Sequence, residues 1–323
     1  MGPEEFTVYS SGDIFSLLTN ETGGRDLPLH CISSLSSGAS DAKKFEFLNR
    51  LVRIYTNQGH RQRATDLCKR LVQKQRTMLS EASIALSDNL NSLGRLYSDG
   101  TEVSAALYAL NEALAIRKKH LDPSNYLDPS NYYKVAETLY NMGRTLTLAK
   151  QDPEASIRHL EQAVGIWASQ TPVPYDLGAA YVFLARAHDN AGHARSVGDE
   201  LFDKGQAVQR ETLPSSHPNH GRTLLDRAEH TLEHNAWEDA LGFAYQALPL
   251  LRTAAEEGGA DPAHVGNCFL VIAKALEPLD RKAELGGLKG ELASWYREYV
   301  VKNPSHANNK SIAAALRKLN LWT

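Results

Sequence analysis

No apolar run in this sequence approaches the ~20 residues a helix needs to cross a bilayer, so no membrane span is expected. Cysteine is scarce. Cys31, Cys68 and Cys268 are odd in number and widely spaced, with no C-x-x-C pair. That excludes a disulfide framework and fits a reducing compartment; each thiol reads as a small buried apolar residue. Neither sign of charge prevails: a net charge of −3 gives no global pull toward nucleic acid or an acidic membrane. Gly192, Gly198, Gly221 and Gly258-Gly259 do not fall in a phosphate-loop pattern, and no nucleophile elbow occurs. Met1 to Tyr9 carries Glu4 and Glu5 and lacks the charged-then-apolar pattern of a secretion signal. A soluble, cytoplasmic chain is expected, in which the sequon Asn20-Glu21-Thr22 has no consequence. Strand-like alternation is also missing from Lys43 onward, where the apolar spacing is helical.

What is present is a period. Arg53, Arg95, Arg144 and Arg186 each follow a small-residue slot, as in Leu90-Asn91-Ser92-Leu93-Gly94-Arg95 and Leu139-Tyr140-Asn141-Met142-Gly143-Arg144. A recurrence every 42 to 49 residues marks a solenoid of helix pairs. Twelve positions after the slot, a second helix carries Ala64, Ala106, Ala155, Val197 or Ala240, small enough for close approach. The units run roughly 43–78, 85–120, 134–169, 176–211, 220–253 and 263–300. The longer second interval, from Arg95 to Arg144, contains Leu121-Asp122-Pro123-Ser124-Asn125-Tyr126, repeated at once as residues 127–132. The fifth unit is irregular, with Arg227 where the others have leucine or methionine; the sixth fits poorly around Pro278 and Gly286-Gly287. Three regions result: a loosely ordered segment at 1–40, a repeat region at 41–302 and a capping helix at 303–323.

The stretches Leu90 to Tyr97, Ala113 to Pro123 and Thr212 to His220 resemble tetratricopeptide repeats, in particular the 42-residue variety of the kinesin light chain family. The resemblance implies an all-α, right-handed superhelical solenoid of about six helix pairs. It further implies that the first helix of each pair lines a concave groove, with the residue after the slot pointing inward. Asn49, Arg53, Asn91, Arg95, Tyr140, Arg144, Arg186 and Asn190 then become candidate ligand contacts. On this reading the amides bond the backbone of an extended peptide, the guanidinium groups hold its carboxylates or phosphates, and Tyr140 takes an apolar side chain. Glu46, Asp88 and Glu137, seven residues before their arginines, are candidate internal counterions.

His230-Thr231-Leu232-Glu233-His234 matches an H-x-x-E-H zinc pattern. With no third ligand indicated, it reads as a surface pair of histidines, and neither metal nor cofactor is expected. The expected function is that of a scaffold or adaptor binding an acidic or phosphorylated segment of a protein partner, without nucleic acid or membrane. The alternative is an enzyme or small-molecule-binding protein with a pocket enclosed by the solenoid; a third is the sensor region of a larger regulator.

Overall fold

A computed structural model describes residues 41–57, 60–78, 83–120, 129–257 and 261–302. The expected lead-in segment, the tandem hexapeptide apart from its last residues, and the capping helix lie outside these. Twelve helices and no strand occur among the described residues: α1 (Asp41–Asn57), α2 (Arg61–Met78), α3 (Ile84–Asp99), α4 (Val103–Lys119), α5 (Pro129–Ala149), α6 (Pro153–Ala168), α7 (Asp176–Asn190), α8 (Arg195–Thr212), α9 (Pro218–Glu233), α10 (Trp237–Glu256), α11 (Ala263–Leu276) and α12 (Lys282–Lys302). No helix is long and apolar enough to cross a membrane. The chain divides into two compact units, residues 1–116 and 117–323.

The small slots bring the helices of a pair together. A Cβ on Gly94 would lie 2.5 Å from Leu110 Cγ, and one on Gly143 would lie 2.5 Å from Leu160 Cγ. Ala185 and Ala228 fill the same slot with no exposed surface. On the second helix, Ala64, Ala106 and Ala240 are fully buried as expected. In α6 the close approach falls one residue later than the spacing suggested, at Ser156; in α8 the buried residue is likewise the next one, Gly198, but it makes room for His230 of α9. Ser156 Oγ donates to Gly143 O at 2.8 Å, a bond alanine could not make.

One hydrogen bond closes the turn of all six pairs. The amide of His60, Glu102, Gln151, His193, Ala236 or Arg281 donates to the carbonyl five residues earlier: Tyr55, Tyr97, Leu146, His188, Thr231 or Leu276. This is the six-to-one bond of a helix C-terminus, which satisfies an orphan carbonyl and requires a left-handed residue nearby. Thr101, Lys150, Gly192, Asn235 and Asp280 supply it in the last five pairs. The acceptor always stands three residues after the slot, so the sixth pair keeps the register. Pro278 sits in its turn, and Gly286 and Gly287 are inside α12.

Apolar side chains fuse the pairs into cores. Leu51, Cys68, Leu86, Leu90 and Ala113 belong to one cluster in the first unit. In the second unit, Leu225, Leu248, Phe269, Ile272, Leu292 and Tyr299 belong to another. There α5 packs on α7, α7 on α9, and α9 on α11, so the first helices of successive pairs form a row.

Candidate functional site

In the second unit this row of first helices brings Arg144, Arg186, Arg222, Asp226, Glu229 and Glu233 near one another. Phe183, on α7, has Arg144 from α5 on one side and Arg186 on another, each guanidinium 5.6 Å from the ring centroid. Tyr140 meets the same phenyl ring edge-on at 5.7 Å and Trp167 at 5.7 Å, so it is packed into an aromatic cluster. Trp167 is fully buried.

Arg186 has a counterion. Its Nη1 donates to Asp226 Oδ1, on α9, at 2.7 Å. The pair raises the guanidinium pKa, chiefly through Asp226. The neutralising acid thus comes from the next repeat. Glu137, a candidate counterion for Arg144, reaches the buried Arg117 at 3.2 Å.

Arg222, in the first turns of α9, belongs to the same face and is not among the residues the arginine period singles out. Its Nε is buried with no hydrogen-bond partner, and it forms no ion pair with a described residue. Burial pushes its pKa down and the nearby Arg144 adds to this, while Asp261 and Asp226 pull the other way. His264, on α11, is likewise held below the usual imidazole range, by burial first and then by Arg222. A signal for Arg222 does exist in the sequence. The register position that is Glu46, Asp88 and Glu137 in the first three units becomes arginine in the fifth.

Asn190 donates to Thr147 O at 2.8 Å, tying α7 to the end of α5. Beside it, Thr147, Lys150, Arg186, Asp189, Asp226, Glu229, His230 and Glu233 border a pocket of about 50 Å³. That volume holds a few waters or one ion, well below the ~300–1,000 Å³ of a small-molecule site. Glu229 is pushed up to about 7, first by burial and then by Asp226.

The H-x-x-E-H stretch needs correcting: it is not a surface pair. His230 is 1% exposed. Its Nδ1 meets Asp189 Oδ1 at 2.8 Å, and His234 Nε2 meets the same oxygen at 3.1 Å. The irregular Arg227 is explained by α8: it donates to Asp203 Oδ1 at 2.7 Å and lies 4.6 Å from the Phe243 centroid.

In the first unit, Arg53 and Arg95 are exposed and form no ion pair with a described residue. Asn49 is half-buried. Asn91 is 5% exposed, so its amide belongs to the packed interior and not to a solvent-facing ligand surface. Val182 and Leu225, which share its register, are buried too, whereas Asn49, Tyr140 and Leu270 at the same position are half-buried.

No protein-family model and no curated protein matches the chain. Solved structures do. A Rap protein complexed with competence and sporulation factor is 14% identical over 99% of this chain and 87% of its own, with a TM-score of 0.59. Aspartyl phosphate phosphatase F from Bacillus subtilis is 12% identical over 99% and 86%, with a TM-score of 0.55. A variant of the Podosopora anserina putative kinesin light chain nearly identical TPR-like repeats is 22% identical over 68% and 99%, with a TM-score of 0.50. The chain has a tetratricopeptide-type repeat fold. Its helix pairs, their common turn bond and the row of first helices in the second unit are this fold's elements.

Proposed function

We propose that the chain is a protein-interaction module whose row of first helices holds an extended, acidic or phosphorylated segment of a partner. Arg222 carries this reading. A guanidinium placed next to Arg144 makes no ion pair with a described residue, and its buried Nε meets no acceptor among them. A partner's carboxylate or phosphate supplies the counterion at the accessible part of this half-buried side chain, arginine being the preferred residue for such groups. Arg144 adds a second charge, and the edge of Tyr140 an apolar contact. Arg186 is neutralised by Asp226 and keeps a structural part. In the first unit, Arg53 and Arg95 offer the same chemistry to an anion. A solved protein of the same fold, complexed with competence and sporulation factor, lends support to a partner-binding role.

The reading is tested by selection from a random peptide library that includes phosphoserine, using the full chain. Enrichment of acidic or phosphorylated sequences is expected, with binding weakened as salt rises. Enrichment of neutral or basic sequences would overturn it.

A further inference from the structure

Three ligand-type side chains converge where α7 ends beside α9. Asp189 lies in the last turn of α7, His230 lies in the last turn of α9, and His234 caps that helix. Four residues of helix put the two imidazoles on one side, 4.8 Å apart by ring centroid. The carboxylate of Asp189 lies 2.8 and 2.9 Å from His230 Nδ1 and 3.1 Å from His234 Nε2. One donor atom from each residue falls within 4.8 Å of the others.

The His230 ring is fixed. It stands 5.3 Å from the Phe202 ring. Gly198 leaves it room, since a Cβ there would lie 2.3 Å from its Cε1. With Nδ1 directed at Asp189, the other ring nitrogen, Nε2, is buried and has no hydrogen-bond partner. Asp199 Oδ1 stands 3.6 Å from that nitrogen. An unsatisfied buried nitrogen carries a cost, and a cation on Nδ1 lowers it by turning Nε2 into a donor. The ring proton then resides on Nε2, facing the Asp199 carboxylate. An outer carboxylate behind a ligating histidine is the usual second shell of a metal site.

We infer that Asp189, His230 and His234 form a binding site for a single divalent transition-metal ion of the zinc type. Two imidazoles and one carboxylate suit a borderline ion such as Zn²⁺ or Co²⁺ and not the all-oxygen preference of Ca²⁺ or Mg²⁺. A fourth position opens on the small pocket bordered by Asp189 and His230, where a water fits. The ion ties α7 to α9 next to the Arg186–Asp226 pair, so it braces the row of first helices and is independent of any peptide bound there.

The test uses the full chain, stripped with chelator and titrated with ZnCl₂ by calorimetry and with CoCl₂ by visible absorption. One equivalent of zinc is expected, along with the visible bands of low-coordinate cobalt and a rise in the unfolding midpoint with zinc. His234→Ala and Asp189→Asn, checked as folded by circular dichroism, are each expected to weaken zinc binding about 100-fold and to abolish the cobalt bands. His193→Ala, which touches the separate His188–His193 pair, is expected to change neither. A chain that takes up no zinc, or one whose uptake survives both His234→Ala and Asp189→Asn, would overturn the site.

Discussion

Gly198 and His230 show how one residue in this chain constrains another. The glycine carries no turn and no unusual backbone angle; it is there because an imidazole occupies the space a Cβ would take. Gly198→Ala pushes the ring off Asp189 or separates α8 from α9, and overpacking of this kind costs about 1–3 kcal/mol. A thermal unfolding midpoint lowered by several degrees is expected; an unchanged midpoint would mean the ring moves freely. The thiols give a second prediction. Burial pushes Cys68 and Cys268 up to about 12, well above the usual thiol range. In a Cys31→Ser background, neither is expected to react with a thiol-exchange reagent at mildly alkaline pH until the chain is unfolded. Rapid reaction of either in the folded protein would contradict their burial. The two residue-level anomalies of the fifth unit were visible in the sequence, but their causes were not. Arg227 breaks the leucine register because Asp203 and the Phe243 ring lie across from it on other helices. The histidines looked exposed because helical register alone does not reveal that Asp189 comes from another repeat.

The helix pairs were legible because three independent signals fall in one register: the small slot, the leucines beside it and the small residue of the second helix. The turn between the helices was less so, since its left-handed residue is Thr101, Lys150, Gly192, Asn235 or Asp280, five residue types with no shared letter. What they share is the backbone bond that precedes the second helix, which any residue can make. The second helix begins one residue later in register in α6 and α8 than in α4, which accounts for the one-residue error there. The strain is testable. Thr101 is exposed, β-branched and held at φ 68°. Glycine meets no such penalty there, so Thr101→Gly is expected to stabilise the protein by up to about 1 kcal/mol, read as a raised denaturation midpoint. A lowered midpoint would show that the threonine side chain is needed.

Over the molecule as a whole, the fold was readable and the chemistry of its face only partly so. A register assigns positions to a face, but neutralisation depends on which acids arrive from the neighbouring helices. Arg186 meets Asp226, whereas Arg222, outside the expected column, forms no ion pair with a described residue. The expected amide contacts divide likewise: Asn91 is interior and Asn190 fastens α7 to α5, so on the proposed function recognition falls to the guanidinium groups. The decisive measurement is the affinity of one selected acidic or phosphorylated peptide, by fluorescence anisotropy, for the intact chain and for Arg222→Gln, with Lys282→Gln as the remote control. Loss of a charge-assisted hydrogen bond costs about 1.5–3 kcal/mol, so Arg222→Gln should bind at least about 10-fold more weakly and Lys282→Gln equally well. Equal affinity of the folded Arg222→Gln variant and the intact chain would contradict an anion-binding face at this place.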